Sequence, residues 1–249
     1  MSISSSLSNE LLKFNSISLH DLKAKSGLMI RRDNKYVLTT EEVFKFILHA
    51  NTEYDILKIG DIYRFQYLSK YFDSENLCTF NDHNKGRRRR IKVRQRHYVD
   101  SDLHFFEIKI KGFRNLTQKY RIPFKPLDVE TGGLNSALID FYRETITEHY
   151  GEGWRSYGLV PTISVGCERI TLVGKAGANR ITLDSNVYFT NEQEPNKVQL
   201  NNNKWIIEVK SPKGKTNIEN WLFRQGHRPI SLCSKYAMGV NLLMKPKYN

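Results

Sequence analysis

Between Arg88 and Tyr98 the chain alternates charge with apolar bulk. Arg88, Arg90, Lys92, Arg94 and Arg96 take the even positions, and Ile91 and Val93 fall among the odd ones. Successive side chains of a strand leave on opposite faces, so five cations share one face here. The device recurs. Phe105–Lys111 sets Glu107, Lys109 and Lys111 against Phe106, Ile108 and Ile110, and Gln118–Pro123 sets Lys119 and Arg121 against Tyr120 and Ile122. Arg180–Asp184 sets Arg180, Thr182 and Asp184 against Ile181 and Leu183, and Ile206–Lys210 sets Glu208 and Lys210 against Ile207 and Val209. Any one of these reads as a half-buried strand showing its charges to water. Five together, with polar faces that are mainly Lys and Arg interspersed with a few Glu, fit a different arrangement. A sheet closed on itself can turn its charged faces into a lumen and pack its apolar faces outward against helices. Cations crowded in a lumen repel one another unless anions fill it. Such an interior holds a polyanion.

Composition agrees. The 39 Lys and Arg against 26 Asp and Glu give a formal charge of +13. That surplus points to nucleic acid, an anionic membrane surface, nucleotides or polyphosphate as partner. With 39% hydrophobic and 26% charged residues over 249 positions, the chain can bury one sizeable core and is not disordered. No apolar run approaches the roughly 18 residues of a bilayer span. Met1-Ser2-Ile3-Ser4-Ser5-Ser6 lacks the basic start and apolar block of a secretory signal. Cys78, Cys167 and Cys233 are widely spaced, which suits reduced thiols in the cytoplasm. The seven histidines are scattered, and none pairs at metal-ligand spacing. Gly214-Lys215-Thr216 resembles the end of a P-loop, but the first glycine that motif requires would be Val209. No dinucleotide fingerprint, HExxH or serine elbow occurs, which disfavours a hydrolase built on a Ser/His or Cys/His arrangement.

Helices punctuate the strands, so the class is α+β with strands dominating. Leu7, Leu11 and Phe14 recur at helical spacing, and Ser18 opens a second short helix with Leu19 and Leu22. Thr39-Thr40-Glu41-Glu42 matches a capping box ahead of Val43, Phe46, Ile47 and Ala50. A longer helix is predicted over 134–150, another after the Thr216-to-Glu219 box, and a last one from near Ser231.

The pieces also occur in a recognisable order. Arg32-Asp33-Asn34-Lys35-Tyr36-Val37-Leu38 is followed by Tyr71-Phe72-Asp73, His83, Lys92-Val93-Arg94-Gln95-Arg96-His97-Tyr98 and Phe106-Glu107-Ile108-Lys109. Lys119-Tyr120-Arg121, Pro161, Cys167-Glu168-Arg169, Arg180-Ile181-Thr182-Leu183-Asp184, Ile207-Glu208-Val209-Lys210 and Ser234-Lys235-Tyr236 complete the series. This resembles the VTC domain, the catalytic domain of vacuolar transporter chaperone polyphosphate polymerases, in a form found as stand-alone bacterial proteins. That domain belongs to the triphosphate tunnel metalloenzymes. The resemblance covers about residues 28–240, leaving 1–27 as a helical extension to a domain over 28–249.

The resemblance implies a closed antiparallel β-barrel tunnel of about eight strands, flanked by helices, with a charged lumen that binds triphosphate or polyphosphate. It implies a polymerase that moves the γ-phosphoryl group of ATP onto a growing inorganic polyphosphate chain. Arg94, Arg96, Arg169 and Arg180 would act on the transferred phosphate. Lys35, Lys109, Lys119, Lys210 and Lys235 would bind substrate, and Glu208 would hold Mn2+ or Mg2+. Glu107 falls at another acidic tunnel position. ATP and polyphosphate are the implied partners, nucleic acid is not expected, and a membrane-protein partner at the inner membrane face is compatible with a chain that spans no bilayer. Two departures stand out. The Glu-x-Glu-x-Lys of many tunnel enzymes is here Arg31-Arg32-Asp33-Asn34-Lys35, which disfavours a hydrolytic triphosphatase. The aromatic residue common two positions before Arg169 is Cys167. A triphosphate hydrolase, or a tunnel that binds polyphosphate without making it, stays open within the fold. From another class, a basic nucleic-acid-binding module fits less well, because carboxylates interleaved with the cations would repel a phosphate backbone. Arg169 and Arg180 could also pair structurally with Glu168 or Asp184, and Glu208 with Lys210 or Lys109.

Overall fold

The computed structural model describes residues 3–25, 32–111, 117–126, 133–154, 158–176, 179–194, 196–211 and 216–244. Arg31 and the Gly214-Lys215 of the P-loop-like stretch lie outside them. The helices are α1 (Ile3–Leu12), α2 (Leu19–Lys25), α3 (Thr40–Ala50), α4 (Cys78–Asn84), α5 (Ser136–Tyr150), α6 (Asn217–Arg224) and α7 (Lys235–Leu243). The strands are β1 (Ser16–Ile17), β2 (Arg32–Thr39), β3 (Tyr54–Leu57), β4 (Phe65–Asp73), β5 (Arg90–Tyr98) and β6 (Leu103–Lys111), followed by β7 (Thr117–Pro123), β8 (Val160–Gly174), β9 (Arg180–Asn191), β10 (Lys197–Gln199) and β11 (Lys204–Ser211).

All five alternating segments form strands in a large and mainly antiparallel sheet, but β5 begins at Arg90, so Arg88 falls outside it and four cations, not five, share its face. The sheet's hydrogen-bonded path reads β2-β11-β9-β8-β4-β5-β6-β7. Among the described residues the path has two ends, at β2 and β7, so its hydrogen bonds do not show the expected closed barrel.

The chain divides into two compact units: Met1–Gln66 with Cys167–Val187 and Gln199–Ser231, and Tyr67–Gly166 with Tyr188–Val198 and Leu232–Asn249. In the first, the apolar sides of β2, β9 and β11 (Tyr36, Leu38, Ile181, Leu183, Ile207, Val209) pack with Val43, Phe46 and Ile47 of α3. Leu7 and Leu11 of α1 and Ile218 and Leu222 of α6 join the same core. In the second, Ile91, Val93, Phe106, Ile108 and Ile110 pack against Leu138, Tyr142 and Ile146 of α5. Each such buried aliphatic side chain contributes roughly 1.5–3 kcal/mol. Alternation thus fixes which side of each strand stays with the charges.

The capping boxes act as the sequence predicts. Thr39 and Glu42 exchange side-chain and backbone hydrogen bonds ahead of α3, as do Thr216 and Glu219 ahead of α6. The last helix starts at Lys235, after an extended Ser234, and not near Ser231. Helix α4 has no counterpart in the periodicity. Its N-cap, Leu77, has φ 52° and no capping side chain. The cap comes from Asp73 at the end of β4, whose carboxylate accepts from the amides of Thr79 and Phe80 at 2.8 and 2.9 Å and from Thr79 Oγ1 at 2.8 Å. Tyr236 Oη also donates to it at 2.5 Å, fastening α7 to the same point.

Candidate functional site

Register turns the alternation of β5, β6 and β7 into transverse rows on one face. Lys92 lies opposite Lys109, and Lys109 opposite Lys119. The next row holds Arg94, Glu107 and Arg121, with Tyr71 of β4 beyond Arg94. The row after it starts with Ser69 and Arg96. Like charges directly opposite destabilise a ladder, so three lysines in one row need a counter-charge. Glu107 supplies part of it. Its side chain is almost fully buried, and it accepts from Arg94 Nε at 2.8 Å and Nη2 at 2.6 Å while pairing with Lys119. Burial pushes the Glu107 carboxyl up, but Arg94, Arg96 and Lys119 outweigh it and hold it at about 2. Burial lowers the Lys119 amine to about 7; Arg94 and Arg96 push the same way against Glu107. Arg94 Nη1 donates to Tyr71 Oη at 3.0 Å. Burial would raise that phenol, yet Arg94, Arg96 and Lys235 leave it below its ordinary value. Lys92 donates to Ser234 Oγ at 2.7 Å, next to Lys235 at the start of α7.

The first unit carries a second charged face. One row holds Asp33, Lys210 and Arg180, and the next Lys35, Glu208 and Thr182. Glu208 pairs with Lys210 Nζ at 2.9 Å. Burial would raise the Glu208 carboxyl, but Lys210, Lys35 and Arg169 hold it well below the usual carboxylate range. Burial, with Arg180 and Arg169, lowers the Lys210 amine to about 8 against the pull of Glu208 and Asp33. Arg169 forks onto Asp184, with Nε to Oδ1 at 2.6 Å and Nη2 to Oδ2 at 2.8 Å. The structural pairing that the sequence left open for Arg169 is therefore made with Asp184; Glu168 faces Arg64 at 3.9 Å.

The expected site residues thus fall into two groups. Arg94, Arg96, Lys109, Lys119 and Lys235 belong to the second unit, and Lys35, Arg169, Arg180, Glu208 and Lys210 to the first. Lys109 and Lys119 are the more exposed, although the Lys119 amine itself is turned in to the buried Glu107, and the others are half-buried. The sequence does not reveal Tyr71 as a polar partner of Arg94, nor that Thr182, on the polar face of β9, lies opposite Glu208. The hydroxyl of Thr182 is buried and has no hydrogen-bond partner among the described residues. Its register position opposite Glu208 was readable only once β9 and β11 were paired.

The donor set on this face suits a hard divalent cation in one way only. Glu208 and Asp33 offer carboxylate oxygens, but their immediate neighbours are Lys210 and Lys35. An ion there needs further oxygens from a phosphate ligand, which is how Mg2+-like ions are commonly held. The unsatisfied Thr182 hydroxyl is consistent with a ligand oxygen in the same place.

Comparison with known proteins places this geometry. No curated protein sequence matches the chain. Among solved structures, the candidate adenylyl cyclase HpAC1 of Hippeastrum, reported with a dominant triphosphatase activity, aligns with TM-score 0.51 and 12% identity over 85% of this chain and 96% of that one. The PH1819 protein of Pyrococcus horikoshii OT3 aligns with TM-score 0.44 and 14% identity over 86% and 99%. A candidate adenylate cyclase of Vibrio parahaemolyticus gives 0.42 and 10% over 80% and 84%. The Hippeastrum likeness is one of fold. No helix among the described residues is long and apolar enough to cross a membrane. The family model of the VTC domain matches residues 30–244, nearly the whole chain, and the protein belongs to the VTC-domain family.

Proposed function

We propose that this protein is a polyphosphate polymerase, transferring the γ-phosphoryl group of ATP to the end of a growing polyphosphate chain inside a basic tunnel of the family's kind. A terminal phosphate oxygen of the chain attacks the γ-phosphorus, the bond from that phosphorus to the β–γ bridging oxygen breaks, and ADP leaves with the electron pair. The acceptor oxygen is already anionic at neutral pH, so no proton has to be removed. Catalysis then rests on position and charge neutralisation. Arg94 and Arg96, with Arg169 and Arg180, are assigned to the transferred phosphate. Lys35, Lys109, Lys119, Lys210 and Lys235 are assigned to neighbouring phosphates. Glu208, with Asp33 on the adjoining strand, would hold Mn2+ or Mg2+ together with phosphate oxygens. When bound, that ion would neutralise charge on the transferring group.

One observation carries the reading. Cations stand in register with cations, Lys92–Lys109–Lys119 on one face and Lys210–Arg180 on the other, where a ladder made only for stability would alternate signs. A chain of phosphates is a ligand that supplies the missing negative charge to a row of this kind. Membership of the VTC family supports the polymerase in particular.

The test is product analysis. Purified protein is incubated with ATP and Mn2+ or Mg2+, and free phosphate, ADP and long-chain polyphosphate are separated. Long chains with ADP are expected. Phosphate with ADP and no chains would make it a hydrolase, and no turnover despite tight polyphosphate binding would make it a binding protein.

A further inference from the structure

At the far end of the β5–β6 hairpin three metal-ligating side chains meet. His97 and His104 are directly opposed across the ladder, their rings stacked 3.9 Å apart and 12° from parallel. Asp102, at the end of the short turn Val99–Ser101, adopts φ 48°, a left-handed conformation that Asp tolerates better than most residues. Its carboxylate is brought back over the two rings. His97 Nε2 lies 2.9 Å and His104 Nε2 3.1 Å from the same oxygen, Asp102 Oδ1. One ligand atom from each residue lies within 4.8 Å of the other two.

Alternation puts this cluster on the face of Gln95 and Phe106, opposite to that of Arg94 and Arg96. It is therefore separate from the cations assigned to phosphate, and a positive ion there does not compete with them directly. A purely structural role accounts poorly for the convergence. The Asp102 side chain is 85% exposed, and a surface carboxylate paired with imidazoles contributes little to stability. The hairpin turn accounts for the left-handed residue, but it does not account for two stacked rings that both meet one oxygen.

We propose that His97, Asp102 and His104 form a binding site for Zn2+. Two imidazole nitrogens and one carboxylate oxygen form the ligand set of open zinc sites, which keep water in the fourth position. Imidazole ligands favour late first-row ions over Mg2+ or Ca2+, which prefer all-oxygen sets. Zinc bonds of about 2.0–2.1 Å in a tetrahedron separate ligand atoms by about 3.3 Å. Each Nε2–Oδ1 separation has to open by a few tenths of an ångström, and the stacked rings have to tilt out of parallel so that one zinc lies in the plane of both imidazoles. Bound zinc would fasten the turn to both strands of the hairpin.

The test uses the full chain without a histidine tag, stripped with chelator, in phosphate-free buffer. Equilibrium dialysis against Zn2+ followed by metal analysis gives the stoichiometry. One zinc per chain is expected for the parent and for Glu208→Gln. That equivalent should be lost in His97→Gln/His104→Gln and in Asp102→Ala. Folding of the variants is checked by circular dichroism, and Co2+ loading should give a visible ligand-field spectrum in the parent and in Glu208→Gln but in neither hairpin variant. Zinc retained by both hairpin variants, or no zinc bound by the parent, overturns the proposal. Loss of zinc with Glu208→Gln and not with the hairpin variants would move the ion to the other face and overturn it equally. Polymerase activity enters none of these readings.

Discussion

Replacing Glu107 by Gln isolates the electrostatics of the β5–β7 face. The substitution keeps the shape and removes the one negative charge that Arg94 and Lys119 share. Its size follows from the carboxyl itself. Holding a group of ordinary value 4.5 at about 2 corresponds, at ~1.4 kcal/mol per pH unit, to about 3 kcal/mol of stability at neutral pH. The 3–5 kcal/mol typical of breaking one side of a buried ion pair agrees. For a chain of this size the melting temperature should fall by about 6–12 °C at pH 7.5. The sign of the pH dependence is fixed as well. The folded value lies below the unfolded one, so the parent has this stabilisation above about pH 5 and loses it as pH falls from 4.5 through about 2. The variant lacks it throughout, and the two melting curves should converge in acid. Tripolyphosphate should restore more stability to the variant than to the parent, because an anion then supplies the missing charge. Thermal melts across pH, with and without tripolyphosphate, give all three readings. A variant that melts within about 2 °C of the parent at pH 7.5, with no convergence in acid, would refute the reasoning.

Other outcomes follow from the same geometry. Arg94→Ala removes a charge-assisted donor worth about 1.5–3 kcal/mol, so calorimetry should find tripolyphosphate bound roughly 10–100-fold more weakly. Glu208→Gln should keep or raise metal-free tripolyphosphate affinity while Mn2+-dependent ATP turnover falls by orders of magnitude; parent-like turnover would leave Glu208 as an ion-pair partner of Lys210. Lys119 at about 7 and Lys210 at about 8 are partly neutral at pH 8 and should take up protons when an anion binds. Calorimetry in buffers of differing ionisation enthalpy measures that uptake, which Lys119→Met should reduce. Asp73→Ala leaves the amides of Thr79 and Phe80 without their acceptor, and should cost about 3 kcal/mol or more with loss of α4 helicity by circular dichroism.

The strands were legible because alternation is a local property. Which of Arg94 and Val93 faces the core follows from period two alone, and the cores bear it out at every one of the five segments. The capping boxes at Thr39 and Thr216 were legible for the same reason. Helix α4 was not, because its cap is Asp73, donated from a strand end several residues upstream. Register was not legible either. Glu107 between Arg94 and Lys119, Thr182 beside Glu208, and Arg169 clasping Asp184 all depend on which residues pair across strands. The histidines make the point most sharply. His97 and His104, seven positions apart, match no ligand spacing, yet a hairpin sets them ring against ring.

The acids argue further for what the cationic faces do. Glu107 and Glu208 each lie among several cations, and each is held well below the ordinary carboxylate range. A carboxylate held that far down is a very weak base, far from the near-neutral value at which general-base catalysis is efficient. Neither group is poised to take a proton from an attacking water. The same environment costs nothing to a reaction whose nucleophile is an ionised phosphate oxygen, since that oxygen has no proton to give. Each carboxylate instead subtracts one negative charge from what a phosphate chain must supply, and keeps a face of Lys and Arg folded while no chain is bound. Neither carboxylate is thus set up as a general base, which is in keeping with the proposed transfer between phosphates.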